Sequence, residues 1–219
     1  MTGDQPTSAK LARLLDLAAG LGVCISPIAR RHALGLPQAY EVQAALVARR
    51  ITRGERLIGL KLGFTSQAMR AQMGIASPNI GWLTDAMALP NGGCLRLSRF
   101  THPRIEPEVA LKLGKDLHWP AGPDEIAAAV AACAPALEVV DSRFHNYKFT
   151  LEDNVADNSS AAGFVIGDWR RWPIELGGRK VALHRDRQVA ETGSTEAVMG
   201  HPLNSLVEGV RLAGAVGQP

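Results

Sequence analysis

The sequence predicts an α+β fold, with a helical region at residues 1–55 packed on a strand-rich remainder at 56–219. Two patterns carry this. Before residue 55, apolar side chains recur every three or four positions, the period of a helix with one buried stripe. From residue 57 onward, short runs alternate apolar and polar residues, the period of a strand with one buried face. A chain of 219 residues is long enough to bury one sizeable core.

The first helix is expected over 7–21, where Leu11, Leu14, Leu15, Ala18 and Leu21 share a stripe, Thr7 or Ser8 caps the start and Gly20 and Gly22 mark the stop. Residues 27–37, bounded by prolines, read as a connector. A second helix is expected over 38–50, with Val42, Ala45, Leu46 and Arg49 on one stripe. Neither carries chemistry.

Next comes Arg56-Leu57-Ile58-Gly59-Leu60-Lys61-Leu62-Gly63-Phe64-Thr65, a strand whose second face is two glycines flanking Lys61. Glycine inside a strand often marks the close approach of a ligand or another backbone. Taken locally, however, Lys61 fits the solvent face of an edge strand. Thr65-Ser66 caps a short helix to Met73, residues 77–81 form a turn, and a strand over 82–89 leads to the Pro90-Asn91-Gly92-Gly93 reversal and a further strand from Cys94 to Leu97.

Arg104-Ile105-Glu106-Pro107-Glu108-Val109-Ala110-Leu111-Lys112-Leu113 alternates strictly, which sets Glu106 and Glu108 on one face, two residues apart. Carboxylates that close repel unless something positive lies between them, and a hard divalent cation such as Mg²⁺ suits oxygen ligands. A solvated strand face is the commoner setting for such a pair. Glu138 shifts the balance. After an Ala-rich helix expected from Pro123 to Ala134, it lies inside the apolar strand of residues 136–143, where an unpaired charge is costly. It is the natural third ligand. Residues 153–160, dense in small polar groups, read as a loop feeding a buried strand at 161–167, a reasonable place for substrate contacts. Strands at 178–184 and 188–192 flank the turn Arg185-Asp186-Arg187, and a last helix spans 203–212.

The composition excludes several classes. Apolar residues make up 46% and charged residues 21%, as in ordinary globular proteins. A net charge of +3, with basic residues scattered in short clusters such as Arg30-Arg31 and Arg49-Arg50, gives no nucleic-acid footprint. Trp169-Arg170-Arg171-Trp172 reads as a surface turn. Cys24, Cys94 and Cys133 form no CxxC pair, and His102, His145 and His201 fit no zinc spacing, so neither a disulfide framework nor a zinc site is indicated and a reducing cytoplasm is expected. The first residues are polar, without a signal-peptide core, and no apolar run reaches the length of a membrane span.

Four segments in order resemble the hydratase/decarboxylase branch of the fumarylacetoacetate hydrolase superfamily, which includes 2-keto-4-pentenoate hydratase and 4-oxalocrotonate decarboxylase of aromatic meta-cleavage pathways. They are Gly59-Leu60-Lys61-Leu62-Gly63-Phe64-Thr65-Ser66, His102-Pro103-Arg104-Ile105-Glu106-Pro107-Glu108, Glu138-Val139-Val140-Asp141-Ser142-Arg143 and Val155-Ala156-Asp157-Asn158-Ser159-Ser160. The resemblance implies a mixed β-roll with flanking helices. It also implies that Glu106, Glu108 and Glu138 hold Mg²⁺ or Mn²⁺ and that Lys61 is the active-site lysine, overturning the local reading. Ser160 then contacts substrate, with Leu62, Gly63, Thr65, Ser66, Asn79, Asp141, Arg143 and Asp157 about the substrate. Asp141 and Arg143 are expected to brace the site as an ion pair, and Asp157 to position its loop.

Two features depart from the family pattern. Where hydratases carry a Pro-Asp-x-Gly turn, this chain has Pro78-Asn79-Ile80-Gly81, and an amide exchanges no proton at neutral pH. Family members also continue into further strands after the helix that follows His201-Pro202, so a roll shortened at the C-terminus is expected. Met73-Gly74, His102-Pro103, Asn146-Tyr147-Lys148-Phe149 and Met199-Gly200-His201-Pro202 favour the decarboxylase. The expected activity is metal-dependent decarboxylation of a 2-oxo-3-enedioate through a cation-stabilised dienolate, in a homo-oligomer or in a complex with a related hydratase. The alternatives are a 2-keto-4-pentenoate hydratase and an inactive family member that serves as a binding partner.

Overall fold

The computed structural model describes residues 6–217; residues 1–5 and 218–219, the ends of the two expected regions, lie outside the described residues. Helix α1 (Ser8–Leu21) starts where the Thr7 hydroxyl accepts from Lys10 N and stops at Gly22, whose φ of 64° is the left-handed cap that glycine adopts freely. The expected connector contains a one-turn helix, α2 (Ala29–His32). Helix α3 (Leu36–Thr52) begins two residues earlier than the apolar spacing indicated, with Pro37 in its first turn. Leu11, Leu15, Val42 and Leu46 of α1 and α3 close over Phe144, Val155 and Ala156 in one core cluster.

Strands β1 (Leu57–Gly63) and β2 (Asn79–Thr84) pair antiparallel, joined by helix α4 (Gln67–Met73), which Ser66 caps. The turn expected at 77–81 is therefore partly strand, and Asn79 faces Gly63 across it. A register shift at Ile58 leaves Ile58 exposed, while Leu57, Leu60 and Leu62 pack with Val47, Ile80 and Trp82. The two-residue β3 (Ala88–Leu89) follows. The strand expected at Cys94 is instead irregular chain and a short turn at Leu97–Arg99.

Strand β4 (Arg104–Leu113) matches the alternating run, but its faces are reversed. Glu106 and Glu108 turn inward, while Ile105 and Leu113 are exposed. Helix α5 (Pro123–Ala129) is shorter than expected, and β5 (Val130–Val140) takes the rest of the alanines. Alanine favours helix, but Pro135 would break one there, and residues Val130 to Val140 find their backbone partners along the whole of β4.

The polar run after Thr150 is a structured, buried unit rather than an open loop. Helix α6 (Leu151–Ala156) opens with a capping box between Thr150 and Asp153, and a short turn, Asn158–Ser160, leads into β6 (Ala161–Ile166). Asp153 also accepts from Ile28 N at 2.7 Å and Ala29 N at 2.8 Å, which secures the α2 connector. The second sheet has the order β3-β6-β5-β4, with β7 (Arg170–Arg171) beside β5. Strands β8 (Lys180–Arg185) and β9 (Gln188–Ser194) form a separate hairpin, and α7 (Pro202–Val216) packs against β1 and β2, with Gly209 against Leu60 and Leu62. No helix among the described residues is long and apolar enough to cross a membrane.

Gly81 lets β2 approach the Asn158–Ser160 turn, because a β-carbon there would stand 2.5 Å from the Asn158 carbonyl oxygen. The expected result for Gly81→Ala is a loss of about 1–3 kcal/mol in urea unfolding, as overpacking against backbone gives. An unchanged midpoint contradicts this packing.

Candidate metal centre

The β4–β5 register sets Glu106 directly opposite Glu138, with Glu108 one step along the same face of β4. Like charges in facing positions of a sheet are destabilising by themselves. Here each of the three carboxylates offers one oxygen, and these lie within 4.8 Å of one another. The balancing charge comes from the other sheet. Lys61 Nζ stands 3.1 Å from Glu138 Oε2 and donates to the Ser159 carbonyl at 3.2 Å.

Glu138 is buried and Lys61 and Glu108 are partly buried, and the charges sort accordingly. Burial lowers the affinity of Lys61 for its proton, but Glu138, Glu106 and Glu108 together outweigh it and hold the ammonium above the ordinary lysine value. Burial pushes Glu108 up to about 8, aided by Glu138 and Glu106 and opposed by Lys61. Glu138 rises for the same first reason, burial, with Lys61 again opposing. One ammonium does not compensate three carboxylates. Glu138 Oε1 is buried with no hydrogen-bond partner, and a buried acceptor in that state costs free energy. A three-carboxylate donor set of hard oxygens with an orphaned lone pair among them fits Mg²⁺ or Mn²⁺.

A cavity of about 380 Å³ opens beside the cluster. Lys61, Leu62, Gly63, Thr65, Ser66, Glu106, Glu108 and Ser160 line it, whereas Glu138 sits behind Lys61. Asn79, Asp141, Arg143 and Asp157, expected near substrate, do not form its wall. The expected Asp141–Arg143 ion pair is replaced by two other arrangements. Arg143 pairs with Asp157, donating to its side chain and, at 2.8 Å, to its carbonyl oxygen. Burial pushes the Asp157 carboxyl up to about 6, against the pull of Arg143, so it stays ionised at neutral pH. Asp141 accepts from Thr101 N at 2.9 Å and His102 N at 2.8 Å, fixing the approach to β4.

Asn79 is fully buried behind the cavity. It donates to Asn154 Oδ1 at 2.7 Å and accepts from Ser159 Oγ at 2.9 Å, and Asn154 in turn donates to Ser160 Oγ at 3.2 Å. The amide therefore positions both serines. Asn158, Ser159 and Ser160 all hold φ between 52° and 57°, a left-handed run uncommon for residues other than glycine, and this aims the Ser159 carbonyl at Lys61.

The sequence reading missed several wall residues. Arg104 lies on the strand face of Glu106 and Glu108, exposed at its end, and could have been found by the same alternation. Ser159 stands beside Ser160, with nothing in the sequence to divide their roles. Leu183, Glu191 and Thr192 come from the β8–β9 hairpin, and no local signal marked them.

No family model matches the chain. Among proteins of known activity, it is 40% identical to a 4-oxalocrotonate decarboxylase from a Pseudomonas species, over 95% of this chain and 82% of that one. It is 35% identical to a 2-hydroxypent-2,4-dienoate hydratase from Pseudomonas putida, over 82% and 83%. Among solved structures, the 4-oxalocrotonate decarboxylase of Pseudomonas putida G7 complexed with magnesium and adipate superposes with a TM-score of 0.91 at 33% identity, over 96% of this chain and 82% of that one. The same enzyme with calcium and acetate gives 0.89 at 31% identity.

The proton on Glu108 competes with any cation at the cluster. A carboxyl raised from 4.5 to about 8 keeps its proton in the fold longer than in the unfolded chain, so its contribution to metal-free stability falls from pH 4.5 to about 8. Cation binding releases that proton. The apparent Mg²⁺ affinity is expected to rise by up to about tenfold per pH unit below pH 8 and to level off above it. Calorimetric titrations at pH 6, 7, 8 and 9 check this; a flat profile refutes the assignment of the proton to Glu108.

Proposed function

The chain belongs to the family of 4-oxalocrotonate decarboxylases and 2-keto-4-pentenoate hydratases, and from that premise we propose that it is a divalent-metal-dependent decarboxylase of a 2-oxo-3-enedioate in aromatic catabolism. The observation that carries this reading is the three-carboxylate cluster facing Lys61 at the base of a cavity. Glu106, Glu108 and Glu138 would hold Mg²⁺ or Mn²⁺. The magnesium complex of the similar decarboxylase supports that choice. When bound, the cation supplies Lewis-acid polarisation of a 2-keto acid.

The chain's own groups do the rest. In decarboxylation the terminal carbon–carbon bond breaks, its electron pair moves along the conjugated chain to the keto oxygen, and CO₂ departs. Lys61, held positive by its three acidic neighbours, stabilises charge that grows on that oxygen, and only charge that grows in the transition state speeds the step. Ser160 already accepts from Asn154, so its own hydroxyl proton is left to donate to the substrate. The backbone of Leu62, Gly63, Thr65 and Ser66 shapes the wall on the Lys61 side. Asn79, Asp141, Arg143 and Asp157 act through the groups they hold rather than on the substrate.

The hydratase is the second reading, favoured by the 35% identity to a hydratase over most of both chains. Asn79 weighs against it, since it is buried behind the cavity and has no titratable proton. The same reading takes residues 56–219 as a catalytic β-roll of the fumarylacetoacetate hydrolase type, with residues 1–55 as a helical layer upon it. It places the protein in the cytoplasm, in keeping with its three free cysteines. It also includes a homo-oligomer or an assembly with a related hydratase.

The deciding experiment follows 2-oxo-3-hexenedioate with Mg²⁺. Loss of its absorbance with release of CO₂ is expected. Water addition to 2-hydroxypenta-2,4-dienoate instead selects the hydratase, and no reaction with either selects a non-catalytic binding role. Glu106→Gln and Glu138→Gln are each expected to lower turnover by more than the roughly 100-fold that losing even an outer-shell partner costs. Metal-free Glu106→Gln should keep its folding stability, because one of three crowded acids is gone, whereas Glu138→Gln leaves Lys61 buried without its partner and should lower it. Full turnover in excess chelator overturns the metal-dependent mechanism.

A further inference from the structure

Among the described residues two cations line the cavity, and one of them is committed to an acid. Lys61 is spent on Glu138 and Ser159. Arg104 opens β4 two residues before Glu106, on the same face but exposed where that face meets solvent, and no acidic side chain among the described residues forms an ion pair with it.

Arg104 is held in place by a stack of rings. Its guanidinium carbon lies 3.8 Å from the centroid of the Tyr147 ring, and that ring stacks on His102 at 4.7 Å and 28°. Each layer is tied to backbone. The Tyr147 hydroxyl reaches the Val140 carbonyl at 2.9 Å and the His102 carbonyl at 3.2 Å, and His102 Nε2 lies 2.7 Å from the Ser142 carbonyl. A guanidinium laid on a ring keeps its N–H edge for a planar anion, and a carboxylate matches that edge two bonds at a time.

The electrostatics of the cavity give this edge a purpose. Glu106, Glu108 and Glu191 line the space and Glu138 lies behind it, so a second negative charge on an incoming molecule is repelled except where a free cation meets it. Arg104 opens the strand and Glu106 and Glu108 follow, so the free cation and the acid cluster lie at successive positions along one wall of the cavity.

We propose that Arg104, seated on Tyr147, is the specificity residue for the distal carboxylate of a linear keto-diacid whose keto-acid end lies at the Glu106–Glu108–Glu138 cluster. The assignment rests on the decarboxylase reading above and adds to it the reason a diacid is chosen over a monoacid. The pair forms in the bound ground state and weakens as that carboxylate leaves as neutral CO₂. Losing it therefore raises KM and does not lower kcat, so Arg104 acts through binding and selection.

Two unreactive ligands isolate the effect: 2-oxoadipate and 2-oxohexanoate share a keto-acid head and differ by the distal carboxylate. Titrations of the full chain with saturating Mg²⁺ should show 2-oxoadipate binding about tenfold more tightly, as one charge-assisted contact gives. Arg104→Met keeps the stem on Tyr147 and should erase that preference while leaving 2-oxohexanoate affinity unchanged. Arg104→Lys, with charge but no fork, should retain part of it. With 2-oxo-3-hexenedioate, Arg104→Met should raise KM about tenfold without lowering kcat. A preference that survives Arg104→Met, or equal weakening of both ligands, overturns the role of Arg104 and leaves the keto-acid reading standing. Failure of the unsubstituted protein to bind either ligand with Mg²⁺ overturns that reading and the role of Arg104 with it.

Discussion

The structure turns on one buried ion pair that is outnumbered. Lys61 and Glu138 meet at 3.1 Å between two sheets, and Glu106 and Glu108 crowd the same ammonium. Burying a single matched pair is close to neutral in free energy, because desolvation offsets the attraction. Crowding one cation with three acids is unfavourable, so Glu108 keeps its proton up to about pH 8, and the fold accepts the cluster where β4, β5 and β1 converge. The surplus of negative charge is what a divalent cation neutralises, so the feature that strains the metal-free fold is also the one that gives the site its chemistry.

The rest of the core serves to hold that convergence still. Polar side chains do much of this inside the protein. Asn79, Asn154, Ser159 and Ser160 bond to one another, while Asn158 donates to the Trp82 carbonyl at 2.9 Å and accepts from Trp82 N at 2.8 Å. Arg143 and Asp157 close the base of the same turn, and Asp153 ties it to the connector beneath α1 and α3. A fully satisfied buried network of this kind fixes one arrangement, because every alternative leaves a donor or acceptor unpaired. The left-handed run at Asn158, Ser159 and Ser160 persists for that reason.

The opposite wall has a different character. Among the described residues the β8–β9 hairpin pairs only with itself, and it brings exposed residues such as Glu191 and Thr192 to the cavity. The site thus combines a buried, hydrogen-bonded floor with an exposed side built on a separate hairpin.

Local pattern in the sequence was enough to mark α1, α3, α4, β1, β4, β6, the β8–β9 hairpin and α7, because helical and strand periods survive wherever one face is buried and the other is not. It also set Glu106 and Glu108 side by side and singled out Glu138 as an acid in an apolar strand. It failed where a partner elsewhere in the chain decided the outcome. The alanines after Ala129 became strand because β4 supplied their hydrogen bonds. The polar run after Thr150 became a buried helix and turn because Asp153, Asn154 and Asp157 found distant partners. Local pattern alone made Lys61 a surface lysine, a reading the family resemblance overturned, and the second sheet supplies the physical reason by bringing Glu138 to it. The sequence by itself determined which residues share a strand face, since that depends only on the two-residue period. Tertiary structure alone decided which face is inside and which charge meets which, since burial and Coulomb energy depend on distances between segments far apart in the chain.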